Sequence, residues 1–425
     1  MKIKIKELSY DKVMGLPERI HHKPVRPNPL LRQLILALSK GELKQVGFQY
    51  EMHGMERLQK GEPCLVLMNH SSFIDLKIAE TVMKDHPLNI ICTSDGLVGK
   101  EGLMRQVGCI PTNKFVTDVQ MVRDMAYALH ELKTSVLMYP EASYSFDGTA
   151  TPIPESLGKC VRMLKVPVVM IRTKGAFLRD PLYNNLQPRK VKVSADVTYL
   201  FSKEDIENSS SKELQKKLEE CFTFDNFREQ QRWGIRIKER FRADYLNRVL
   251  YKCASCKKEG YMHGEGTTIT CKACGDKHEL TEDGFLKNLS GNTTFSHIPD
   301  WYEWQRDEVR KQLQDGTYKL DIDVDIYMLK DLKCIYKVGE GHLHHDDRGF
   351  YLEGCDGRLQ YGQKPKASYS LYADYYWYEI GDMICIGNMK CLYYCFPKNQ
   401  SLDVVARTRI ATEELYKMNT AGKQK

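Results

Sequence analysis

The chain has 425 residues, a net charge of +7 and fourteen cysteines. Its length predicts two or three domains and at least one large core. No run approaches the ~18 apolar residues that span a bilayer, and the N-terminus lacks the apolar core and cleavage site of a signal peptide, which argues against an integral membrane protein and a secreted one. We therefore expect a cytoplasmic protein, soluble or peripheral at the inner face of the membrane, whose cysteines bind metal or lie buried as thiols.

The first 45 residues predict a basic arm followed by one amphipathic helix. Residues 1–60 contain twelve Lys and Arg against six Asp and Glu, an excess of +6 that suits an anionic lipid surface as well as a solvated one. Prolines interrupt residues 1–29, and Pro29 can start a helix that runs to about Ser39. The apolar face of this helix, which either packs on the core or lies on a membrane, is formed by Leu30, Leu31, Leu34, Ile35 and Leu38.

The segment from Cys64 to Asp75, CLVLMNHSSFID, predicts a buried strand, a polar turn and the start of a helix. His70 lies on the turn and Asp75 in the first turn of the helix, where the two side chains can meet. An imidazole beside a carboxylate suits a catalytic dyad, because the carboxylate fixes the tautomer and the imidazole takes a proton.

Alternating strands and helices follow, which predicts an α/β domain over residues 46–200, with a mixed sheet flanked by helices. The expected strands are 47–55, 89–93, 135–138, 166–171 and 191–200, and the expected helices are 100–105 and 121–132. Lys114 closes the block GCIPTNK, and Glu141 lies in the heptapeptide YPEASYS that follows a strand.

The motif His-x4-Asp after an apolar strand, followed in order by these blocks, resembles the glycerolipid acyltransferase superfamily. It resembles specifically the 1-acylglycerol-3-phosphate acyltransferase (lysophospholipid acyltransferase) family, over about residues 47–199. The resemblance implies that His70 removes the proton of an acceptor hydroxyl and that Asp75 orients His70. It also implies acyl-CoA or acyl-carrier protein as the acyl donor, a lysophospholipid acceptor and no catalytic metal.

The resemblance further implies a set of substrate-binding residues. Lys114 matches the position of a basic residue that binds the acceptor's phosphate in the family, which more often has Arg there. Glu141 and Ser145 match the family's Phe-Pro-Glu-Gly-Thr-Arg-Ser motif, and Asn69 and Ser71 flank the dyad. These residues are expected to hold the acceptor or to shape the turn.

Two positions depart from that motif, since Ala142 replaces its Gly and Tyr144 replaces its Arg. Losing the Arg removes a phosphate ligand, which weakens the expectation of a phosphate-bearing acceptor. The departure also leaves open whether another basic residue takes that role.

Residues 201–250 are charged, and Leu214, Leu218 and Phe222 recur at helical spacing. This pattern predicts a helical connector between domains. We expect its last part, from Arg236 to Val249, to continue as a basic helix.

Two Cys-x2-Cys pairs predict a zinc ribbon over residues 251–285. The pairs are separated by fourteen residues, and their cysteines are Cys253, Cys256, Cys271 and Cys274. Four thiolates leave no position for water, so the Zn2+ would be structural; a rubredoxin-like iron and a redox dithiol are the alternatives. The ribbon carries no basic and aromatic patch, so no nucleic acid is expected as a partner, and it either staples the fold or docks a protein partner.

Residues 286–425 predict a mainly β C-terminal domain with a final helix. A helix is expected near 300–313 and a last one near 404–418. The expected strands are 318–327, 334–338, 349–352, 368–378 and 383–396. This order is compatible with a small, pleckstrin-homology-like barrel closed by the last helix. A group of polar residues is placed in one loop and either binds metal or is merely solvated; its members are His342, His344, His345, Asp346 and Asp347.

These observations together favour an acyltransferase that works at the membrane surface with a His70–Asp75 dyad. A non-catalytic lipid-binding or partner-binding protein that keeps the fold is the alternative, favoured by the altered motif at Ala142 and Tyr144. A nucleic-acid-binding zinc protein ranks last.

Overall fold

The structure is a computed structural model that describes residues 2–291, 294–400 and 403–420. Nineteen named strands are found in these residues: β1 Ile5–Glu7, β2 Gln49–His53, β3 Leu65–Met68, β4 Leu88–Thr93, β5 Cys109–Thr112, β6 Ser135–Met138, β7 Val168–Lys174, β8 Ser194–Phe201, β9 Met262–Glu265, β10 Thr268–Cys271, β11 Lys277–Leu280, β12 Leu286–Asn288, β13 Leu320–Leu329, β14 Ile335–Asp346, β15 Gly349–Gly354, β16 Leu359–Gln363, β17 Tyr372–Trp377, β18 Gly381–Gly387 and β19 Leu392–Pro397. The same residues contain twelve α-helices: α1 Tyr10–Met14, α2 Pro29–Gln45, α3 Asp75–Val82, α4 Glu101–Val107, α5 Val119–His130, α6 Leu157–Leu164, α7 Ala176–Arg179, α8 Lys203–Asn208, α9 Ser211–Cys221, α10 Asn226–Arg232, α11 Ile298–Gln314 and α12 Val404–Thr420.

The first large sheet has the order β2-β8-β7-β3-β6-β4-β5. Strands β3 to β7 are mutually parallel, whereas β8 runs antiparallel to β7. Alternate residues of the central strand β3 face opposite sides, so Leu65 and Leu67 pack with α5, α6 and α9 while Val66 and Met68 pack with α2 and α3. The predicted mixed sheet flanked by helices is therefore confirmed.

The N-terminal arm is more ordered than the prediction of an irregular segment. Residues Ile5–Glu7 add a parallel strand to β14, and Arg19 donates to the carbonyls of Leu329 and Lys330 across the chain. Helix α2 runs to Gln45 rather than to Ser39. Within the described residues, no helix combines the length and the apolar character that crossing a bilayer requires.

The predicted helix from Arg236 to Val249 is wrong. This segment is irregular apart from one short 3-10 turn, because some of its backbone N–H groups bind the ribbon and others close local turns; among the former, Ala243 donates to Gly266 and Tyr245 to Gly264. The approach is so close that a Cβ on Gly264 would lie 2.4 Å from the carbonyl oxygen of Ala243. Local charge pattern could not reveal a tertiary contact of this kind.

The ribbon forms a four-stranded antiparallel sheet with the order β12-β11-β10-β9. It is not an isolated module, because one continuous apolar core includes Phe177 of α7, Ile269 of β10, Trp301 of α11 and Val324 of β13. The indole of Trp301 also donates to the carbonyl of Lys252, 3.0 Å away. The ribbon thus packs against both the α/β sheet and the C-terminal region.

The C-terminal region is mainly β with a final helix, as predicted. Its main strands lie in the order β16-β15-β14-β13-β19-β18-β17, four consecutive strands followed by three. The predicted single strand over 383–396 is instead the hairpin β18–β19, since the side chain of Asn388 accepts from the N–H of Lys390 and turns the chain. Strand β16 was not predicted.

Candidate active site

The side chains predicted to form the site lie together at one edge of the α/β sheet. His70 follows β3, Lys114 follows β5 and Glu141 follows β6. Because these strands are parallel, their carboxyl ends share one edge, which is where α/β proteins commonly place their sites. Asp75 opens α3 and reaches back to the same place.

His70 and Asp75 form the hydrogen-bonded pair that the sequence predicts. The Nδ1 of His70 lies 3.0 Å from Oδ2 of Asp75, and this same oxygen accepts the backbone N–H groups of Ser71 and Ser72 at 2.8 and 3.0 Å. A buried carboxylate with three donors is fixed in place, so Nδ1 of His70 carries the proton and Nε2 is left with a lone pair. That is the tautomer of a general base.

Two tyrosine rings enclose the His70 imidazole. The ring centroids of Tyr139 and Tyr144 lie 4.2 and 4.1 Å from the imidazole centroid, both at an interplanar angle of 28°. Burial lowers the pKa of His70, with the hydrogen bond that His70 donates to Asp75 opposing the shift and Lys114 adding to it. The imidazole is therefore neutral at pH 7, the form that can take a proton.

Glu141 is fully buried and holds the backbone of the catalytic turn. Its Oε2 accepts the N–H of His70 at 2.8 Å, and its Oε1 accepts the N–H and the hydroxyl of Thr151 at 2.9 and 3.2 Å. Burial raises the pKa of Glu141 to about 7 despite these hydrogen bonds. The carboxylate thus contacts the turn rather than open space.

Asn69, Ser71 and Ser145 are also engaged inside the protein. Asn69 ties β3 to β7, since its Oδ1 accepts the N–H of Thr173 at 2.7 Å and its Nδ2 donates to Ser71. The hydroxyl of Ser145 donates to the carbonyl of Thr149 at 2.6 Å. These contacts shape the two loops of the site, and direct substrate contact by any of the three stays a prediction.

Lys114 has its ammonium 4.2 Å above the ring of Tyr372, a residue of the C-terminal region. Burial lowers its pKa, with Asp374 and Asp95 opposing the shift. Within the described residues, no ion pair joins this ammonium to a carboxylate. Lys114 is therefore a half-buried cation whose charge is available to an anionic group.

The C-terminal region covers the same edge of the sheet. Asp95, which follows β4, is buried and accepts from the hydroxyl of Tyr372 at 2.6 Å and from the indole of Trp377 at 3.3 Å. Ser368 donates to the carbonyl of Phe115 at 3.0 Å. This edge of the sheet is thus walled by residues from a distant part of the sequence.

Arg409 of α12 was missed by the sequence analysis. It is buried, and its Nη1 donates to the hydroxyl of Ser143 at 3.3 Å and to the carbonyl of Tyr144 at 3.4 Å. Its guanidinium lies 4.3 Å from the centroid of Phe146 and pairs with Glu413 at 3.2 Å. A cation therefore contacts the loop in which Tyr144 stands at the position of the motif's Arg. No sequence motif around Arg409 in α12 predicts this contact.

A groove of about 480 Å3 opens between Lys114 and the C-terminal sheet. This volume lies within the range of small-molecule sites. Its walls beyond Lys114 are mostly apolar or aromatic and include Phe115, Val116, Leu371, Tyr372, Ile386 and Leu392.

The four ribbon cysteines converge as predicted. Their sulfur atoms all lie within 4.8 Å of one another, with Cys253 to Cys274 and Cys256 to Cys271 each at 3.7 Å. A tetrahedral Zn2+ with Zn–S bonds of about 2.3 Å requires S–S separations of about 3.8 Å. The donor set and its spacing therefore fit a structural metal.

Known proteins are similar to this chain over part of its length. Over 128 residues, 29% of this chain, the sequence is 23% identical to the Homo sapiens protein 1-acyl-sn-glycerol-3-phosphate acyltransferase beta, and the match spans 46% of that protein, about half its length. The crystal structure of the 1-acyl-sn-glycerophosphate (LPA) acyltransferase PlsC from Thermotoga maritima aligns with a TM-score of 0.37 at 18% identity, covering 45% of this chain and 76% of that one. The family model described as Acyltransferase matches residues 49–174, which include the dyad, Lys114 and Glu141. Residues 49–174 are therefore similar to the acyltransferase family.

Proposed function

We propose that this protein transfers a fatty acyl group from acyl-CoA or acyl-carrier protein to the hydroxyl of a lysophospholipid, with 1-acylglycerol-3-phosphate as the first candidate acceptor. The observation that carries the proposal is the neutral His70 imidazole, held by Asp75 through Nδ1 and free at Nε2, at the edge of an acyltransferase-family sheet. The name of the human relative supports the choice of acceptor.

The reaction needs one proton to move twice. Nε2 of His70 takes the proton of the acceptor hydroxyl as the oxygen attacks the carbonyl carbon of the thioester. Asp75 stabilises the imidazolium that forms. The C–S bond then breaks, and the imidazolium returns the proton to the departing thiolate, which leaves an ester and a free thiol.

The acceptor's charged group would lie at Lys114. This ammonium is close enough to His70 to lower the pKa of the imidazole, and its charge is not neutralised by a direct ion pair. The apolar groove beside Lys114 suits the hydrocarbon chain of a lipid whose head is held by the ammonium. Lysine supplies a point charge rather than a two-pronged contact, which fits one phosphate oxygen at a time.

Helix α2 would bring this site to the membrane. Its predicted apolar face divides in two: Leu31 and Ile35 are half-buried, whereas three leucines one turn apart are exposed, at 76% for Leu30, 53% for Leu34 and 69% for Leu38. An exposed apolar stripe on a helix of a basic segment is typical of peripheral membrane binding. We propose that this stripe enters the lipid surface, where both substrates partition.

The ribbon would hold a structural Zn2+ and staple the fold. Its cysteines form a closed set of four sulfurs, and its strands pack into the core that joins the two larger parts of the chain. This arrangement favours the stapling role over the docking of a protein partner.

A non-catalytic lipid-binding role is the second candidate. It is favoured by Tyr144, which stands where the family has Arg and stacks on the catalytic imidazole. A binding protein would keep the groove and the membrane face without turning over a thioester.

The test is thioester consumption by the zinc-replete protein, with acyl-CoA and acyl-carrier protein donors and a panel of lysolipids in mixed micelles. We expect wild type and His53→Ala, an exposed histidine on β2, to turn over, and folded His70→Ala to lose at least about 1,000-fold. Equal turnover by His70→Ala would overturn the mechanism. Absence of turnover by wild type with every donor and acceptor would favour the binding protein.

A further inference from the structure

Two histidines and two aspartates share one exposed face of the β13–β14 hairpin. His342 and His344 lie on β14, not in a loop as the sequence predicted, and alternate residues of a strand point to the same side. The strand register places Asp321 opposite His344 and Asp323 opposite His342. The four side chains therefore project together from the sheet.

Two other members of the predicted loop cluster have different partners. His345 is buried, stacks on Phe350 at a centroid distance of 3.8 Å and lies 3.1 Å from the hydroxyl of Tyr318. Asp346 pairs with Arg348 at 2.6 Å. The structure thus separates two histidines that can share a ligand from one that belongs to the core.

Three donor atoms converge on one point of this face. Oδ1 of Asp321 contacts Nε2 of His342 and lies 3.5 Å from Nδ1 of His344, and the two imidazole centroids are 4.4 Å apart. One ligand atom from each residue lies within 4.8 Å of the other two. Metal–ligand bonds of about 2.0–2.2 Å need ligand separations of about 3.4 Å, which small rotations of these side chains can provide.

The surrounding groups also orient the ligand atoms. Nδ1 of His342 lies 2.9 Å from Oδ1 of Asp323 and Nε2 contacts Oδ1 of Asp321, so a metal at this face would replace the proton that Nε2 shares with Asp321. Lys319 pairs with Asp321 through the other carboxylate oxygen, Oδ2, at 2.9 Å. The side chains of Asp321, His342 and His344 are about one third exposed, so water has access to the remaining coordination positions.

We propose that Asp321, His342 and His344 bind a divalent transition-metal ion of the Zn2+ or Ni2+ type, with Asp323 orienting His342 and water completing the coordination. Two imidazoles and one carboxylate select such ions over Mg2+ and Ca2+, which prefer all-oxygen ligands. The site differs from the ribbon in its donor atoms and in keeping an open position. It is therefore a reversible surface site, separate from the closed cysteine set.

The test counts zinc in the full-length protein. Protein carrying one equivalent of Zn2+ in the ribbon is dialysed against 100 µM free Zn2+ and analysed for metal, and the second binding event is measured by calorimetry. We expect a second equivalent in the wild type, and we expect His342→Ala and His344→Ala each to weaken that event at least 10-fold while the first equivalent stays. His263→Ala, an exposed ribbon histidine beside Glu265, is the matched control and should keep both equivalents.

Two results would overturn the proposal. One is a wild-type protein that holds only one equivalent at 100 µM free Zn2+. The other is a second equivalent that survives in both histidine variants, which would place the extra zinc elsewhere. A parallel titration with Mg2+ should show no binding at this face, and competition by Mg2+ at equal concentration would also contradict the ligand chemistry.

Discussion

Arg409→Met tests whether the last helix positions the catalytic loop. Arg409 contacts Ser143 and Tyr144, the latter 265 residues away in sequence, and it shares Glu413 with Arg306. Removing it takes two hydrogen bonds from the loop and one of two arginines from a buried carboxylate. Because Glu413 keeps Arg306 at 2.8 Å and the hydroxyl of Ser370 at 2.7 Å, we expect a loss at the lower end of the range for a broken buried pair, about 3 kcal/mol.

The matched control is Arg306→Met. It removes the other arginine of Glu413, so its cost in the free energy of unfolding should be similar, but Arg306 does not contact the loop 139–146 in the described structure. Chemical denaturation measures both losses. Arg409→Lys adds a milder variant, since one ammonium can reach Glu413 or Ser143 but does not reproduce the forked contact.

Measurement of kcat distinguishes the role of Arg409 from that of Arg306. A shift of about 1 Å in a catalytic group can cost about 100-fold in rate, so a loosened loop that carries Glu141 and Tyr144 should lower kcat of Arg409→Met by about 10- to 100-fold, with little change in KM. We expect Arg306→Met, assayed well below its unfolding temperature, to stay within about threefold of wild type. Equal kcat losses in the two variants would refute the positioning role and leave Arg409 as a purely structural residue.

Further predictions concern the dyad, the buried glutamate, the membrane face and the metal. Asp75→Asn should keep the fold but lower kcat by about 1,000- to 10,000-fold, because the imidazole loses the acceptor that fixes its tautomer; a loss under tenfold would contradict this. The pKa of Glu141 is raised to about 7, above its ordinary value of 4.5, so the folded state binds this proton more tightly than the unfolded chain and the contribution of Glu141 to stability falls as pH rises from 4.5 through 7. Conversely, kcat should fall as pH drops below about 7, since the protonated acid is a poorer acceptor for the N–H of His70, and Glu141→Gln should abolish this limb of the pH–kcat profile. Replacing Leu30, Leu34 and Leu38 by Ser should lower the partition coefficient of the protein onto anionic vesicles at least tenfold, as measured by co-sedimentation. Met163→Ser, at a comparably exposed position on α6, should leave this coefficient unchanged. Removing Zn2+ with a chelator, or Cys271→Ser, should lower the thermal midpoint and kcat together, because the ribbon shares its core with Trp301; an unchanged melting curve would argue against stapling.

The sequence was sufficient to predict features that depend on residues close together in the chain. The apolar run before His70, the spacing to Asp75 and the two Cys-x2-Cys pairs each fix a short-range geometry, and the structure brings these side chains together. The alternation of residues 318–327 likewise predicted a half-buried strand, and β13 spans Leu320–Leu329.

Features set by distant contacts were not predictable in this way. The segment from Arg236 to Val249 has helical composition, but the N–H groups of Ile237, Ala243 and Tyr245 bind carbonyls of the ribbon. His345 resembles its neighbours His342 and His344 in sequence, yet the pleat turns it into the core beside Phe350. Arg409 shows no motif at all, and only the packing of α12 reveals its contact with the catalytic loop.

The contact between Tyr144 and Arg409 has a consequence for the biosynthesis of this protein. At about 5–20 residues per second, translation makes the loop on the order of tens of seconds before the arginine that buttresses it. During that interval the nascent sheet presents Asp95 and the catalytic edge without their cover, and the polypeptide must avoid aggregation in this state. Contacts so distant in sequence also slow folding, so the loop gains the support of Arg409 only when α12 docks.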